Sequence, residues 1–106
     1  MEEAINEYRI SARLRPNEPD AFLEMGNTYI AMQREADGIA QFEAALQAEP
    51  GNPAALSILT FNAITQGKKD EADRWMEKIE NQPRITRETR GALTRAYMDR
   101  FGREWK

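Results

Sequence analysis

Residues 19–52 read PDAFLEMGNTYIAMQREADGIAQFEAALQAEPGN, and this stretch decides the fold because its pattern returns along the chain. A shift of 34 residues places Ala4 on Gly38 and then on Ala72. Ile5 falls on Ile39, Tyr8 on Phe42 and then Met76, and Ser11 on Ala45. Pro16 meets Pro50, Pro19 meets Pro53, and Ala21 meets Ala55. Tyr29 skips Ala63 and returns as Tyr97. The matches keep side-chain size: small on small, bulky on bulky, proline on proline. Small residues suit places where two helices approach closely, because a larger side chain would push the backbones apart. Bulky residues fill the space between helices. Prolines mark the links, since they cannot continue a helix yet start one well at its first position.

The spacing predicts six helices over 2–14, 19–32, 35–48, 53–66, 69–81 and 86–101, joined by short links. Asn52 is placed to cap the fourth, with Pro53 at its first turn. Gly67 is a helix stop and Thr86 a cap for the last helix. In the second helix Phe22, Met25, Gly26 and Tyr29 share one side, expected to pack on the third helix. Leu23, Asn27, Ile30 and Arg34 lie on another. Their equivalents are Ser57, Phe61, Ile64 and Lys68 in the fourth helix, and Gly91, Arg95 and Met98 in the last.

Phe22-x2-Met25-Gly26-x2-Tyr29, followed by Gly38-x3-Phe42, Ala45 and Pro50, resembles the tetratricopeptide repeat pattern W-x2-L-G-x2-Y…A-x3-F…P. Residues 19–52 then correspond to one full repeat. Residues 1–18, with Ala4-x3-Tyr8 and Pro16, correspond to the second helix of a partial repeat. Residues 53–85 are a divergent repeat, in which Thr60 replaces the glycine, Ala63 replaces the tyrosine and Pro83 sits one residue early. Residues 86–106 are a capping helix and tail. The resemblance implies a single all-α domain, 1–106, built as an α-α superhelix of antiparallel helix pairs.

It also implies a function. In the family, first helices of successive repeats line a concave groove that takes an extended peptide or a helix of a partner. Carried over, Leu23, Asn27, Ile30, Ser57, Phe61 and Ile64 form the groove floor, with Arg34, Lys68 and Arg95 on its rim. The competing reading is that Ile58, Phe61 and Ile64 are core, covered by the last helix. Some members clamp a peptide's terminal carboxylate with lysine, arginine and asparagine. Here Asp20 and Glu24 flank Asn27, and Ala54 and Ile58 stand where basic clamp residues would be, so that mode is not implied. The second function class is a homo-oligomerisation module. Its contact would be the first helix, whose face of Ala4, Tyr8 and Ser11, with Ile5 and Ala12, lacks a cover.

Composition excludes other classes. The 106 residues hold no cysteine and no histidine, which removes the usual zinc ligands and the commonest general base. The remaining carboxylates, tyrosines and lysines form no acid/base, phosphate-cradling or metal-ligand spacing, so neither an enzyme, a cofactor, a metal nor a small-molecule substrate is expected. No apolar run reaches membrane-spanning length, so no membrane insertion is expected. Charge is uneven: residues 1–83 carry eight basic and fifteen acidic side chains, and residues 84–106 carry seven and three. Arg84, Arg87 and Arg95 share a side of the last helix, near Met98. They form either a landing patch for an acidic partner or a solvated outer face. Nucleic acid is not the expected partner, because the net charge is −3 and no aromatic platform interleaves the arginines. Trp75 is expected to be partly packed, and Trp105 either to be exposed near the end or to mark where the chain continues.

Overall fold

The structure, a computed structural model, describes residues 2–105; Met1 and Lys106, the end residues of the expected domain, lie outside the described residues. It is all-α, with six helices among the described residues: α1 (Glu2–Leu14), α2 (Asp20–Ala31), α3 (Glu35–Ala48), α4 (Pro53–Thr65), α5 (Lys69–Glu80) and α6 (Arg87–Phe101). Each agrees with its expected range to within one residue at either end. The chain divides into two units, Met1–Ala55 and Leu56–Lys106.

In the first unit α2 lies between α1 and α3. Toward α1 it presents Met25 and Tyr29, which form a buried cluster with Ile5 and Ala12; Tyr8, Ala21, Phe22 and Met32 pack around it. Toward α3 it presents Gly26, where an added methyl would stand 2.7 Å from the Phe42 ring. A methyl at Gly38 would stand 2.9 Å from Ile30 Cδ1 and 3.0 Å from the Gly26 carbonyl oxygen. Contacts thus run 26 to 42 and 30 to 38, so α2 and α3 are antiparallel. Arg9 donates to the Tyr29 hydroxyl at 3.0 Å and Arg34 reaches Glu2 at 3.6 Å, giving the same sense for α1 and α2. The side with Phe22, Met25, Gly26 and Tyr29, expected to pack on the third helix, also serves the first: Gly26 meets Phe42 of α3, while Phe22, Met25 and Tyr29 pack with Ile5 and Ala12 of α1. A helix flanked on two sides needs two apolar stripes, and only the flat one admits the close neighbour.

The links repeat as the sequence does. Gln33 takes a positive φ of 62° and Gly67 one of 72°, 34 positions apart. At the first, Gln33 N–H donates to Ile30 O at 2.9 Å and Arg34 N–H to Tyr29 O at 2.8 Å. At the second, Gly67 donates to Ile64 O and Lys68 to Ala63 O, both at 3.0 Å. These paired bonds satisfy the orphan carbonyls at a helix end.

In the second unit α4 is buried along most of its length, through Leu56, Leu59, Thr60, Ala63 and Ile64. Thr60, at the position of Gly26, satisfies its hydroxyl by donating to the Leu56 carbonyl at 2.6 Å. Asn52 Oδ1 accepts from Ala55 N–H at 2.9 Å and so caps α4. Thr86 Oγ1 accepts from Thr89 N–H at 3.1 Å and caps α6. Tyr97 donates to Asp73, and Arg90 donates to the Gln82 carbonyl at 2.9 Å, so α5 and α6 run antiparallel. Fully buried side chains such as Phe42, Met76 and Ile79 each contribute roughly 1.5–3 kcal/mol of transfer free energy.

Candidate functional site

The nine expected partner-binding residues fall in different environments. In the first unit Leu23 is half-buried, Asn27 is exposed, and Ile30 is 42% exposed while its inner edge packs on Gly38. Arg34 is exposed but engaged: its Nε donates to Asp37 at 2.8 Å and its guanidinium lies 4.9 Å from the Tyr29 ring centroid. In the second unit Ser57 is half-buried, Phe61 is 52% exposed, and Lys68 and Arg95 are exposed. Ile64 is 1% exposed and belongs to the core. The choice between groove floor and core is therefore divided: Ile64 is core, Phe61 faces solvent, and Ile58 lies between. One turn of helix separates these residues, and the apolar type alone does not say which side of α4 each takes.

The first helix also differs from expectation. Ile5 and Ala12 are buried in the cluster with α2, and Tyr8 packs against it. The solvent-facing apolar side chains of α1 are instead Ile10, 57% exposed, and Leu14, 75% exposed. Tyr8 and Ser11 do line a small open groove, about 190 Å³, whose rim carries Glu18, Asp20 and Glu24 against Arg15.

A larger groove, about 480 Å³, runs along α6. Arg87, Arg90, Thr94, Arg95 and Met98 line it from the helix, and Trp105 from the tail. Gly102, at φ 69°, turns the chain out of α6, and its N–H bonds Met98 O at 2.8 Å. The tail then brings the Trp105 ring edge-on to Tyr97 at 5.4 Å between centroids, with its indole N–H donating to Glu80. Trp105 is thus partly buried rather than exposed, and an aromatic wall does stand among the arginines. Sequence spacing missed it because the contact is made by a reversal outside the helix. Arg84 lies in the link before α6 and does not line the groove; Arg90 takes that place. Of the nine expected residues, Arg95 lines this groove and the other eight lie outside both grooves.

Behind the groove wall, Asp73 accepts from Tyr97 and from Lys69 Nζ, the latter at 2.9 Å. Partial burial pushes the Asp73 carboxyl up, but these hydrogen bonds and the charges of Lys69 and Arg103 outweigh it and hold it below the usual carboxylate range. The hydrogen bond to Asp73, then the one involving Tyr97, raises Lys69 above its ordinary value. Among the described residues no group of three or more acidic side chains is arranged to hold a metal ion, and no helix is long and apolar enough to cross a membrane.

No family model matches the chain. It is similar to the peroxisomal targeting signal receptor of Komagataella phaffii, 32% identical over an alignment of 81 residues, with 73% of this chain and 14% of the receptor covered. The receptor of the same name from Komagataella pastoris shows the same identity and coverage. The chain therefore spans 14% of the length of the curated relatives it matches.

Proposed function

We propose that the chain is a non-enzymatic, tetratricopeptide-like module that binds a protein or peptide partner. Its repeats would run 1–18, 19–52, 53–85 and 86–106, stacked as a superhelix. The observation that carries this reading is a solvent-open first-helix face recurring at the repeat spacing. Asn27 and Phe61 are equivalent positions 34 residues apart, and both are exposed. The Asn27 amide has no partner among the described residues, and half of the Phe61 ring is left in water. Covering the exposed half of such a side chain recovers on the order of 1 kcal/mol, which contact with a partner's apolar anchor would supply. Ile30 and Leu23 extend the face on α2, Ser57 extends it on α4, and Lys68 and Arg95 add charge. Ile64 would support it from beneath. The similarity to a receptor for a targeting signal favours recognition of a segment of another protein.

A displayed library of random peptides, selected on the immobilised chain, tests the proposal. The expected result is an enriched peptide family with saturable binding that is lost in Phe61→Asp and Asn27→Lys. Peptides that bind both variants as they bind the unaltered chain would remove these faces from the site. A second reading, self-assembly through α1, is favoured by the exposure of Ile10 and Leu14. Sedimentation across a concentration series separates the two, since only self-assembly predicts a mass that rises with concentration and returns to monomer in Ile10→Lys with Leu14→Lys.

A further inference from the structure

We infer that the groove along α6 binds an acidic peptide segment of a partner protein, one that carries an apolar side chain beside its carboxylates. The inference rests on the proposed binding function and adds to it a site and a ligand chemistry. Three guanidinium groups, Arg87, Arg90 and Arg95, line one groove against a single carboxylate, Glu104. Among the described residues no carboxylate pairs with any of the three. Arg90 is anchored through its bond to the Gln82 carbonyl, and its Nε finds no acceptor. That Nε is buried and Arg90 serves as part of the wall, while the exposed guanidinium groups of Arg87 and Arg95 match a carboxylate better than a mobile lysine would.

The apolar half of the groove is also prepared. The Trp105 ring is held by Glu80 and by Tyr97, so little freedom is lost when a ligand packs on it. Met98, also lining the groove and exposed, has the soft, adaptable side chain suited to an irregular apolar partner. The volume, about 480 Å³, lies within the common range of ligand pockets, roughly 300–1,000 Å³. Charge selects the occupant. Residues 84–106 carry an excess of four positive charges, while residues 1–83 carry an excess of seven negative ones. The positive excess within residues 84–106 favours an acidic segment in this groove.

The test uses fluorescence anisotropy of a short dye-labelled peptide of alternating Glu and Leu. Its counterparts replace every Glu by Gln, or every Leu by Ser. Saturable binding of the Glu/Leu peptide is expected, weakening as salt is raised and weaker by on the order of tenfold or more in both counterparts. Arg87→Gln with Arg95→Gln should cause a comparable loss, Trp105→Ala should reduce binding, and Arg95→Gln alone should show a smaller loss in the same direction. Circular dichroism checks that each variant keeps its helices. Equal binding of the Gln or Ser counterpart, or an unchanged double variant, overturns the inference. Loss confined to Phe61→Asp and Asn27→Lys overturns the groove while leaving the proposed function standing. A duplex DNA of equal charge that displaces the peptide at lower concentration assigns the patch to nucleic acid instead. A concentration-dependent mass abolished by the double variant assigns it to a second copy of the chain.

Discussion

Gly26 and Gly38 are the residues on which the α2–α3 pair turns. Their missing side chains let Phe42 and Ile30 sit against bare backbone. Gly26→Ala is expected to destabilise the chain by about 1–3 kcal/mol, because the aromatic ring it meets cannot swing aside without losing its own packing. The unfolding midpoint in urea measures this. Gln33 holds the left-handed conformation that Gly67 holds 34 residues later, but with a side chain that disfavours it. Gln33→Gly should therefore raise stability by up to about 1 kcal/mol, seen as a higher melting temperature with unchanged helicity. The small positions were legible as size matches at a constant interval. The strained glutamine was not, since no residue type marks it. Its conformation follows from the close antiparallel return of α3.

At the scale of elements, α5 and α6 are joined by Asp73, which takes hydrogen bonds from Tyr97 and Lys69. The Asp73 carboxyl titrates lower in the folded chain than the ordinary value of about 3.9 expected when unfolded. As pH falls, the unfolded chain binds this proton first. The stabilisation is therefore complete above the ordinary aspartate range and is lost as pH falls through the folded value. Lys69 adds the opposite wing: its raised value gives a contribution present below the unfolded lysine range and lost as pH rises through the folded one. Asp73→Asn is expected to lower stability at neutral pH, with the deficit shrinking as pH falls below the aspartate range; denaturant titrations at several pH values read it directly. The helices themselves, and the caps Asn52 and Thr86, were legible because capping and apolar spacing act within a few residues. The Tyr97–Asp73 bond, 24 residues apart, was not.

For the molecule as a whole, the proposed repeat architecture makes stability a sum of local terms between neighbouring helices. Gly26→Ala should therefore speed amide hydrogen exchange in α2 and α3 far more than in α5 and α6, and Asp73→Asn should do the reverse. A uniform acceleration in both variants would mean that the chain opens as one cooperative body and would count against nearest-neighbour stacking.

Periodic size matching, read along the sequence alone, determined that this chain is helical, where its six helices begin and end, and which links stop them. Those features are local: spacing, caps and proline act through bonds within a turn or two of the residue concerned. Tertiary structure decided which apolar residues stay in water. Ile64 went inside while Phe61 remained outside, Tyr8 went to α2 while Ile10 and Leu14 did not, and Trp105 came back onto Tyr97. Side-chain type sets the free energy of burial, but only the packing of distant segments determines which side chains find something to be buried against.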